Sequence, residues 1–469
     1  MGETFLSVGI DIGTTTTQIV FSRLTIEQQQ IQNSGKATIS DREIIYRSAI
    51  YYTPLSSPSK VNSRAIANII KAEYKLAGFS PSDIHSGAVI ITGETARKEN
   101  ALAISNTLSL AAGKFVVATA GPELEAILSG QGAGAAQMSE KITDKVINFD
   151  IGGGTTNVSV FFNGQAETPF ALDIGGRLIK FSVNRTITYI SPRLKPLINA
   201  LNIPLYIGFQ CNLADIYTLC RQLAAILLDY TNGSKGGIYG KDLLITAAPR
   251  SQHYHTVMFS GGVAEYIYHP IADISWESIL KFQDIGIILG KCINELFLSS
   301  GLQILQPKET IRATVIGAGI YSMSISGSTV NIDEEILPLR DIPVIKLQEN
   351  IFYLPNADKF IAEKLAVYKE SSVAIAFAGP KSPSYNELKA IAKCLATADA
   401  LIHLESNPLI VVLEHDFAKA LGQTLRPLLP LKKKVVCIDR IAVKESSYID
   451  IGRPIGNVLP VVIKTLAFH

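Results

Sequence analysis

Two aspartates, Asp11 and Asp150, each lie in a Gly- and Thr-rich turn that follows an apolar run. The first run reads VGIDIGTTTTQIVF (residues 8–21), and the second reads INFDIGGGTTNVSV (residues 147–160). A shift of 139 residues, from 11 to 150, superimposes the aspartates and aligns identical Ile, Gly and Thr residues. This period is too long for a solenoid repeat, so it indicates a duplicated domain.

Turns of this composition can bind phosphate. Glycine lets the backbone approach a ligand closely, and successive N–H groups then point at one anion. Threonine hydroxyls add further donors. The predicted phosphate-binding residues are Gly13, Thr14, Thr15, Gly152, Gly153, Gly154 and Thr155.

An aspartate beside a phosphate would repel it unless a cation lies between them. Mg²⁺ keeps most of its water ligands, so Asp11 and Asp150 are predicted to hold it through water from opposite walls of one cleft. Such an ion offsets charge as the γ-phosphate of ATP departs, which makes both aspartates candidate catalytic residues. A single DxGT turn is also typical of an ordinary hairpin. The presence of two copies favours the site.

Two later glycine motifs add candidate contacts. Ser260, Gly261 and Gly262 stand between a strand-like run and a helix start, where paired glycines let a flat base lie against the backbone. An ordinary strand-to-helix turn is the alternative. The run VIGAG (315–319) is similar, but small residues there equally permit two helices to pack closely. Neither a P-loop nor a Rossmann fingerprint occurs in the sequence.

Runs typical of strands alternate with runs typical of helices, which predicts a layered α/β architecture. Each aspartate turn joins two apolar or alternating runs and therefore predicts a β-hairpin. The other predicted strands are residues 88–92, 115–120, 256–259, 373–378, 409–413, 435–438 and 458–466. The predicted helices are residues 94–111, 213–229, 285–298, 385–398 and 416–428, with another that opens at 122–128.

The repeat divides the chain into three parts. Residues 1–140, completed by 311–330, are predicted to form one α/β domain, and residues 141–310 a second. Residues 331–469 are predicted to form a smaller C-terminal α/β module. Because residues 331–343 (NIDEEILPLRDIP) are polar and contain two prolines, we expect a linker there.

The overall composition excludes several classes of protein. Hydrophobic residues make up 47% and charged residues 18%, as in soluble globular proteins. No apolar stretch approaches the ~20 residues that span a bilayer, and no signal-peptide pattern is present, so no membrane partner is expected. With 43 basic and 41 acidic residues, the chain lacks the basic footprint of a nucleic-acid partner. Five scattered cysteines predict reduced thiols in a cytoplasmic protein.

Five landmarks, in order, resemble those of the actin/Hsp70/sugar-kinase superfamily. They are the two aspartate turns, a first connecting helix (121–134), an adenosine motif at 260–262 and a second connecting helix at 316–319. The second helix adds Gly317 to the candidate nucleotide-binding residues. The resemblance implies two RNase H-like, actin-like ATPase domains with ATP and Mg²⁺ bound in the cleft between them. The connecting helices would form the hinge.

Longer blocks resemble the family of ethanolamine ammonia-lyase reactivating proteins, EutA. They are GIDIGTTTTQ, ITGETAR, FVVATAGPELE, NFDIGGGTTN, LDIGGRL, SGGVAE, RATVIGAG, SISGSTV, DFAKALGQTLRP and YIDIGRPI. Residues 187–205 show no recognisable block. Glu94 follows a strand in one block and is a third candidate catalytic residue, placing the attacking water or the Mg²⁺ shell. A glutamate that favours a helix N-terminus is the alternative. Asp173 and Arg177 are further cleft candidates, with a surface arginine as the alternative.

This resemblance implies an ATP-dependent chaperone with slow ATPase activity. Its client would be adenosylcobalamin-dependent ethanolamine ammonia-lyase, from which it releases damaged cobalamin so that intact cofactor can rebind. The alternatives are the reactivase large subunit for diol or glycerol dehydratase, a small-molecule kinase of the same superfamily, and an actin-like filament protein. A homo-oligomeric state and association with a bacterial microcompartment are left open by the sequence.

Overall fold

The structure is a computed structural model of the chain. It describes residues 3–13, 16–31, 34–57, 60–92, 108, 112, 116–120, 122–142, 144–167, 169–234, 236–307, 309–321, 323–326, 331–348, 350–368, 372–402, 407–443, 447–454 and 459–465. Within these residues, no helix is both long enough and apolar enough to cross a membrane.

The N-terminal part forms a six-stranded sheet with an adjoining short hairpin. The strands are β1 (Glu3–Ile12), β2 (Thr16–Ile31), β3 (Ser34–Arg47), β4 (Tyr51–Tyr52), β5 (Leu55–Ser57), β6 (Lys60–Val61), β7 (Ser86–Ile91) and β8 (Val116–Ala120). Their order in the sheet is β3-β2-β1-β7-β8, with β4 on β2, while β5 and β6 pair separately. β1, β7 and β8 are parallel, whereas β2 is antiparallel to β1 and β3.

The described helices of this part are α1 (Ser63–Ala77), α2 (Pro122–Ala133) and α3 (Ala135–Ile142). α1 begins at Asn62, whose side chain accepts a hydrogen bond from the N–H of Ala65, and ends at Gly78 in the left-handed conformation. Its buried Ile66 and Ile70 join the core that β1 and β2 form. The predicted helix at 94–111 lies outside the described residues apart from position 108.

A second six-stranded sheet repeats this arrangement. The strands are β9 (Val146–Ile151), β10 (Thr156–Phe162), β11 (Gln165–Ala166), β12 (Phe170–Leu172), β13 (Ile179–Phe181), β14 (Ile187–Ile190), β15 (Thr256–Ser260) and β16 (Gln303–Leu305). The sheet order is β11-β10-β9-β15-β16, with β12 on β10, while β13 and β14 form a separate hairpin. The helices are α4 (Lys195–Ala200), α5 (Leu213–Thr231), α6 (Gly237–Leu243), α7 (Ala264–Tyr268), α8 (Trp276–Leu280) and α9 (Gly286–Leu298).

The two aspartate hairpins share one register. Asp11 faces Gln18 in the β1–β2 pair, and Asp150 faces Asn157 in the β9–β10 pair. The shift that superimposes the aspartates also superimposes Gln18 on Asn157. If the five main strands of each sheet are numbered along the chain, both sheets have the spatial order 3-2-1-4-5. Strand order and register therefore confirm the predicted α/β fold, a duplicated RNase H-like domain.

An eight-stranded sheet forms the C-terminal part. Its strands are β17 (Met323–Ser326), β18 (Asn331–Ile332), β19 (Leu339–Lys346), β20 (Ala374–Phe377), β21 (Leu409–Leu413), β22 (Val435–Ile438), β23 (Ser447–Ile451) and β24 (Leu459–Thr465). The helices are α10 (Ala313–Tyr321), which precedes the sheet, α11 (Ala357–Ala366), α12 (Tyr385–Ile402) and α13 (Ala418–Leu425). The order is β17-β24-β23-β19-β20-β21-β22-β18, and β19 to β22 are parallel.

The predicted linker at 331–343 is wrong. It contains β18 and the start of β19, and β19 lies between β23 and β20 inside the sheet. Pro343 is accommodated opposite Tyr448, next to a register irregularity in the β19–β23 pair. Ile342 and Val344 are buried in the core. Burial of these apolar side chains stabilises a strand here, although the polar composition of the segment had indicated a linker. Residues 323–326, within the segment predicted to complete the first domain, pair with β24 of this sheet.

α10 packs backbone to backbone on both α2 and β1. A Cβ added to Gly132 of α2 would lie 1.8 Å from a carbonyl oxygen at the start of α10. A Cβ on Gly317 would lie 1.9 Å from the carbonyl oxygen of Leu128, and one on Gly9 would lie 1.9 Å from that of Val315. These contacts leave no room for a side chain. They fix α10 against the first sheet and against the helix that leads into the second.

Replacing Gly317 with alanine should destabilise the protein. In a helix interior this change normally stabilises by about 1 kcal/mol. Here the new Cβ would overlap the carbonyl oxygen of Leu128. We therefore expect a loss of about 1–3 kcal/mol, measured as a lower midpoint of urea unfolding. Gln137→Ala on the exposed face of α3 is the matched control and should change stability by less than about 0.5 kcal/mol. A midpoint of G317A at or above that of the unmodified chain would contradict the close contact.

Candidate nucleotide-binding site

The two aspartates occupy equivalent strand ends, and the charge of Asp150 acts on Asp11. Asp11 is the next-to-last residue of β1, and Asp150 is the next-to-last residue of β9. Burial raises the pKa of Asp11 to about 7; a hydrogen bond from Thr92 lowers it, and the charge of Asp150 raises it further. Val315 of α10 lies against Gly9 of β1, and Thr314 of the same helix bonds to Asp150, so α10 brings the two strand ends together.

Hydroxyl groups from three different elements hold the carboxylates. The hydroxyl of Thr92, which follows β7, donates to Oδ1 of Asp11 at 2.9 Å. The hydroxyl of Ser260 donates to Oδ1 of Asp150 at 2.7 Å, and that of Thr314 on α10 donates to Oδ2 at 3.3 Å. Burial raises the pKa of Asp150 to about 6, while these two hydrogen bonds lower it. Thr92 and Thr314 were not predicted to act here, although both lie inside blocks that resemble the EutA family, ITGETAR and RATVIGAG.

The aspartate turns have the same backbone hydrogen bond in both halves. The N–H of Gly13 donates to the carbonyl of Thr16 at 2.9 Å, and the N–H of Gly152 donates to that of Thr155 at 3.0 Å. The repeat thus extends from the strands into the turns. The predicted residues that lie outside the described residues are Thr14, Thr15 and Glu94, and their roles stay predictions.

The second turn presents backbone donors to open space. A Cβ added to Gly154 would meet no atom within 4 Å. Among the described residues, the N–H groups of Gly153 and Gly154 have no protein acceptor. The carbonyls of Gly152 and Gly153 instead accept hydrogen bonds from the N–H groups of Gly176 at 3.0 Å and Arg177 at 2.6 Å. The carbonyl groups of the turn are therefore fixed by hydrogen bonds, while its N–H groups remain free to bind an anion.

Arg177 belongs to the support of this turn. Its side-chain carbons lie against Gly153, and its Nε lies 3.3 Å from Oδ2 of Asp284. Burial raises the pKa of Asp284. The hydrogen bond from the N–H of Gly286 and the charge of Arg177 lower it, but by less. Asp173, the other cleft candidate of this segment, accepts a hydrogen bond from the hydroxyl of Ser191 at 2.9 Å.

The predicted adenosine motif divides into two roles. Ser260 is fully buried, and its hydroxyl donates a hydrogen bond to Asp150. Gly261 has a φ of +86°, and a Cβ there would lie 2.4 Å from the carbonyl oxygen of Ile151. Glycine is therefore required at this position. Gly262 is exposed with open space where a side chain would be, so it is the member of the motif that a base could approach.

Gly317 lies at the crossing of α10 and α2, where its Cα faces the backbone of Leu128. Close helix packing, the alternative interpretation of the VIGAG run, accounts for this glycine. It also sets the position of Thr314, which lies one helical turn earlier and bonds to Asp150.

Two buried amides face the carboxylates and were also missed. Gln18 faces Asp11 and Asn157 faces Asp150 across the hairpins, so each pair lies on one face about 4.5–5.5 Å apart at Cβ. Oε1 of Gln18 and Oδ1 of Asn157 are buried and have no hydrogen-bond partner within the described part of the chain. The repeat could have revealed them, because they obey the same shift as the aspartates.

This set of oxygens fits a hydrated Mg²⁺ ion. Mg²⁺ prefers oxygen ligands and retains several waters, whose hydrogens need acceptors. The carboxylates of Asp11 and Asp150, together with the amide oxygens of Gln18 and Asn157, supply acceptors with no competing cation among the contacts described above. The free N–H groups of the second turn fit phosphate oxygens. The site can therefore hold a metal-bound phosphate ester.

Known proteins resemble this chain over its full length. The model of the family described as ethanolamine utilisation protein EutA matches residues 3–469. The ethanolamine ammonia-lyase reactivase EutA of Salmonella typhimurium strain LT2 is 34% identical over 467 residues, covering 99% of this chain and 98% of that protein. The reactivase of the same name from Escherichia coli K12 is 33% identical over 468 residues, with 99% and 98% covered.

Solved structures resemble parts of the chain at low sequence identity. The PPX-GPPA enzyme of Aquifex aeolicus is 13% identical, with a TM-score of 0.37, and covers 67% of this chain and 99% of its own. The ethanolamine utilization protein EutJ of Carboxydothermus hydrogenoformans is 15% identical, with a TM-score of 0.32, and covers 67% and 89%. Strand order and register establish the fold, and the full-length sequence matches establish the family. The chain belongs to the ethanolamine utilisation protein EutA family.

Proposed function

We propose that this chain is an ATP-dependent reactivating chaperone of adenosylcobalamin-dependent ethanolamine ammonia-lyase. It releases damaged cobalamin from the lyase so that intact cofactor can rebind. The names of the two bacterial relatives, both reactivases that align over 98% of their length, support the client. The observation that carries the ATP-dependent part is the pair of carboxylates, Asp11 and Asp150, at equivalent positions of a duplicated domain whose halves meet at α10.

The proposal assigns the parts of the chain as follows. Residues 1–140 with 311–330 form one actin-like domain, residues 141–310 form the other, and residues 331–469 form the C-terminal module. Asp11 then belongs to one domain and Asp150 to the other. The hydrogen bond from Thr314 of α10 to Asp150 supports this arrangement, because it links the two halves at the carboxylates themselves.

Mg²⁺-ATP would supply a cleavable phosphoanhydride and a cation. Asp11 and Asp150 would hold that cation in its hydrated form, with the amide oxygens of Gln18 and Asn157 as acceptors for its waters. Because a cation favours ionised carboxylates, its binding would lower the raised pKa values of both aspartates. The N–H groups of Gly153 and Gly154 bind phosphate oxygens.

Nucleotide-dependent closure would provide the two states that a release factor needs. A chaperone can drive release when its affinity for the client differs between two shapes. Closure draws the two aspartate turns together, and the packed pair of α2 and α10 would act as the hinge. α10 is suited to this role because it contacts α2 and β1 through backbone and Asp150 through Thr314.

Asp11→Asn and Asp150→Asn should each abolish ATP-dependent reactivation while the protein stays folded. The amide keeps the size of the side chain and its hydrogen-bond acceptor but cannot neutralise the cation. The assay uses ethanolamine ammonia-lyase inactivated by a tightly bound cobalamin that lacks the adenosyl group, with ATP, Mg²⁺ and fresh adenosylcobalamin. We expect recovery of lyase activity to fall at least about 100-fold, as for the loss of one charged group that acts on the transition state.

The control for this assay is Glu277→Gln, at an exposed position of α8, which should reactivate like the unmodified chain. Circular dichroism of each variant verifies the fold. Full reactivation by both aspartate variants would remove the proposed metal site. Phosphorylation of a small metabolite in place of lyase recovery would instead identify a kinase.

The same two substitutions should stabilise the nucleotide-free protein at high pH. An unfolded aspartate has a pKa of about 3.9. The folded pKa values are raised to about 7 for Asp11 and about 6 for Asp150. The folded state therefore binds more protons between about pH 4 and pH 7, and these groups make stability fall as pH rises through that window. Without nucleotide and with EDTA, each variant should melt roughly 2–4 °C above the unmodified chain at pH 8.

Differential scanning fluorimetry across pH 4.5 to 8 measures this effect. The gain should shrink towards pH 4.5, where the folded carboxylates are protonated and the difference in bound protons has contributed over only a small part of the window. Adding Mg²⁺ and ATP should raise the melting temperature of the unmodified chain and leave both variants unchanged. A gain independent of pH would contradict the burial of ionisable carboxylates at this site.

A further inference from the structure

One segment of the second half has a charge unlike that of the whole chain. Residues 174–214 contain five Lys and Arg residues and no Asp or Glu, whereas the whole chain is nearly balanced at 43 basic and 41 acidic residues. The segment includes the β13–β14 hairpin and α4. The nucleotide site uses the start of this segment at Gly176 and Arg177 and leaves the rest without a role.

Large apolar side chains are exposed on the same segment. Val183 at the hairpin tip is 71% exposed, and Tyr206 and Ile207 in the following turn are 58% and 64% exposed. Lys180 and Arg185, both exposed, flank Val183 on the hairpin. We call these five residues the docking patch. Aromatic, aliphatic and Arg side chains in such a mixture are typical of the centre of a protein–protein interface.

Backbone pairing holds the two parts of the docking patch together. The N–H of Ile187 donates to the carbonyl of Phe209 at 2.9 Å, and the N–H of Gly208 donates to the carbonyl of Ile187 at 2.9 Å. The side-chain amide of Gln210 donates to the carbonyl of Asn184 at 3.0 Å. The turn that bears Tyr206 and Ile207 therefore lies beside the hairpin that bears Val183.

The hairpin is anchored to the second domain. The N–H of Phe181 donates to the carbonyl of Gln283 at 2.9 Å, and the ring of Phe181 meets Trp276 edge to face at 5.5 Å. The guanidinium of Arg185 lies over the ring of Trp276, 5.7 Å from its centre. These contacts make the docking patch a fixed surface, which reduces the entropy lost when a partner binds.

The docking patch is continuous with the second phosphate turn. The N–H groups of Gly176 and Arg177 bind the carbonyls of Gly152 and Gly153, and β13 begins two residues later. Six residues separate Arg177 from Val183, a span of at most about 20 Å. A shift of the turn on nucleotide binding would therefore be passed along a short, hydrogen-bonded piece of chain to the docking patch.

We propose that the docking patch binds an acidic, partly apolar face of the client lyase. This inference rests on the proposed function and names the surface that performs it. The exposed Lys180 and Arg185 favour an acidic partner face, and the exposed Val183, Tyr206 and Ile207 favour apolar contact. Two scattered cations in the patch make a weak footprint for nucleic acid or an anionic membrane, whereas the apolar side chains suit a protein.

The test compares a patch variant with a matched control in the full-length chain. Val183→Asp/Ile207→Asp places two carboxylates on the patch. Leu76→Asp/Leu431→Asp makes the same change at two exposed positions on other surfaces. Affinity for purified ethanolamine ammonia-lyase carrying a cobalamin without the adenosyl group is measured by biolayer interferometry, with Mg²⁺-ATP, at 50 and 300 mM salt. ATP-induced thermal stabilisation is measured in parallel.

The patch variant should bind the lyase at least 10-fold more weakly and reactivate it correspondingly slowly, with unchanged stabilisation by ATP. The control should match the unmodified chain in all three measurements. Lys180→Glu alone should slow association and reduce its dependence on salt. This single exposed change covers the case in which the double variant folds poorly.

Two results would overturn the docking surface and leave the proposed function standing. One is a patch variant that binds and reactivates like the unmodified chain. The other is a patch variant that keeps its affinity for the lyase but loses binding to vesicles of anionic phospholipid. If the unmodified chain itself neither binds nor reactivates the lyase, the proposed function fails together with the docking surface, and the two cases are thereby distinguished.

Discussion

The contact of α10 with α2 and β1 is the constraint on which the site depends. At Gly132, Gly317 and Gly9 an added Cβ would approach a carbonyl oxygen to within 1.9 Å, closer than at any other described glycine. A backbone contact cannot be relieved by a change of side-chain rotamer. The distance between the two sheets, as set through α10, α2 and β1, is therefore fixed. That spacing brings the end of β1, which bears Asp11, to one side of α10, and it brings Thr314 of α10 to Asp150 at the end of β9.

The site that results is unfavourable for an empty protein and favourable for a loaded one. Two partly dehydrated carboxylates and two unsatisfied amide oxygens have been collected at one place, each at a cost in stability. The hydroxyls of Thr92, Ser260 and Thr314 relieve part of this cost and orient the carboxylates. In the proposed function, the remaining cost favours binding of a cation, which couples the nucleotide to domain closure.

The sequence predicted the parts of the site that are local and repeated. The hairpins, both aspartates and the glycine turns follow from short patterns, and the second copy removes the ambiguity of the first. It did not predict Thr92 and Thr314, because their bonds to the aspartates join residues 81 and 164 positions apart. The error at 331–343 has the same origin, since pairing with strands more than 100 residues later decides that segment. The composition of a segment describes only that segment, whereas strand formation in a sheet depends on pairing with residues far away in the sequence.

The final strand, β24, links the C-terminal sheet to the hinge. Val462 is buried in one cluster with Ala88 and Ile90 of β7, Leu128 of α2 and Ala318 of α10. β17 follows α10 closely along the chain and pairs with β24 around the same residue. A rotation of the two helices therefore cannot occur without tilting the eight-stranded sheet. In the proposed closure, the C-terminal module would therefore move with the two helices and amplify a small rotation at its far edge.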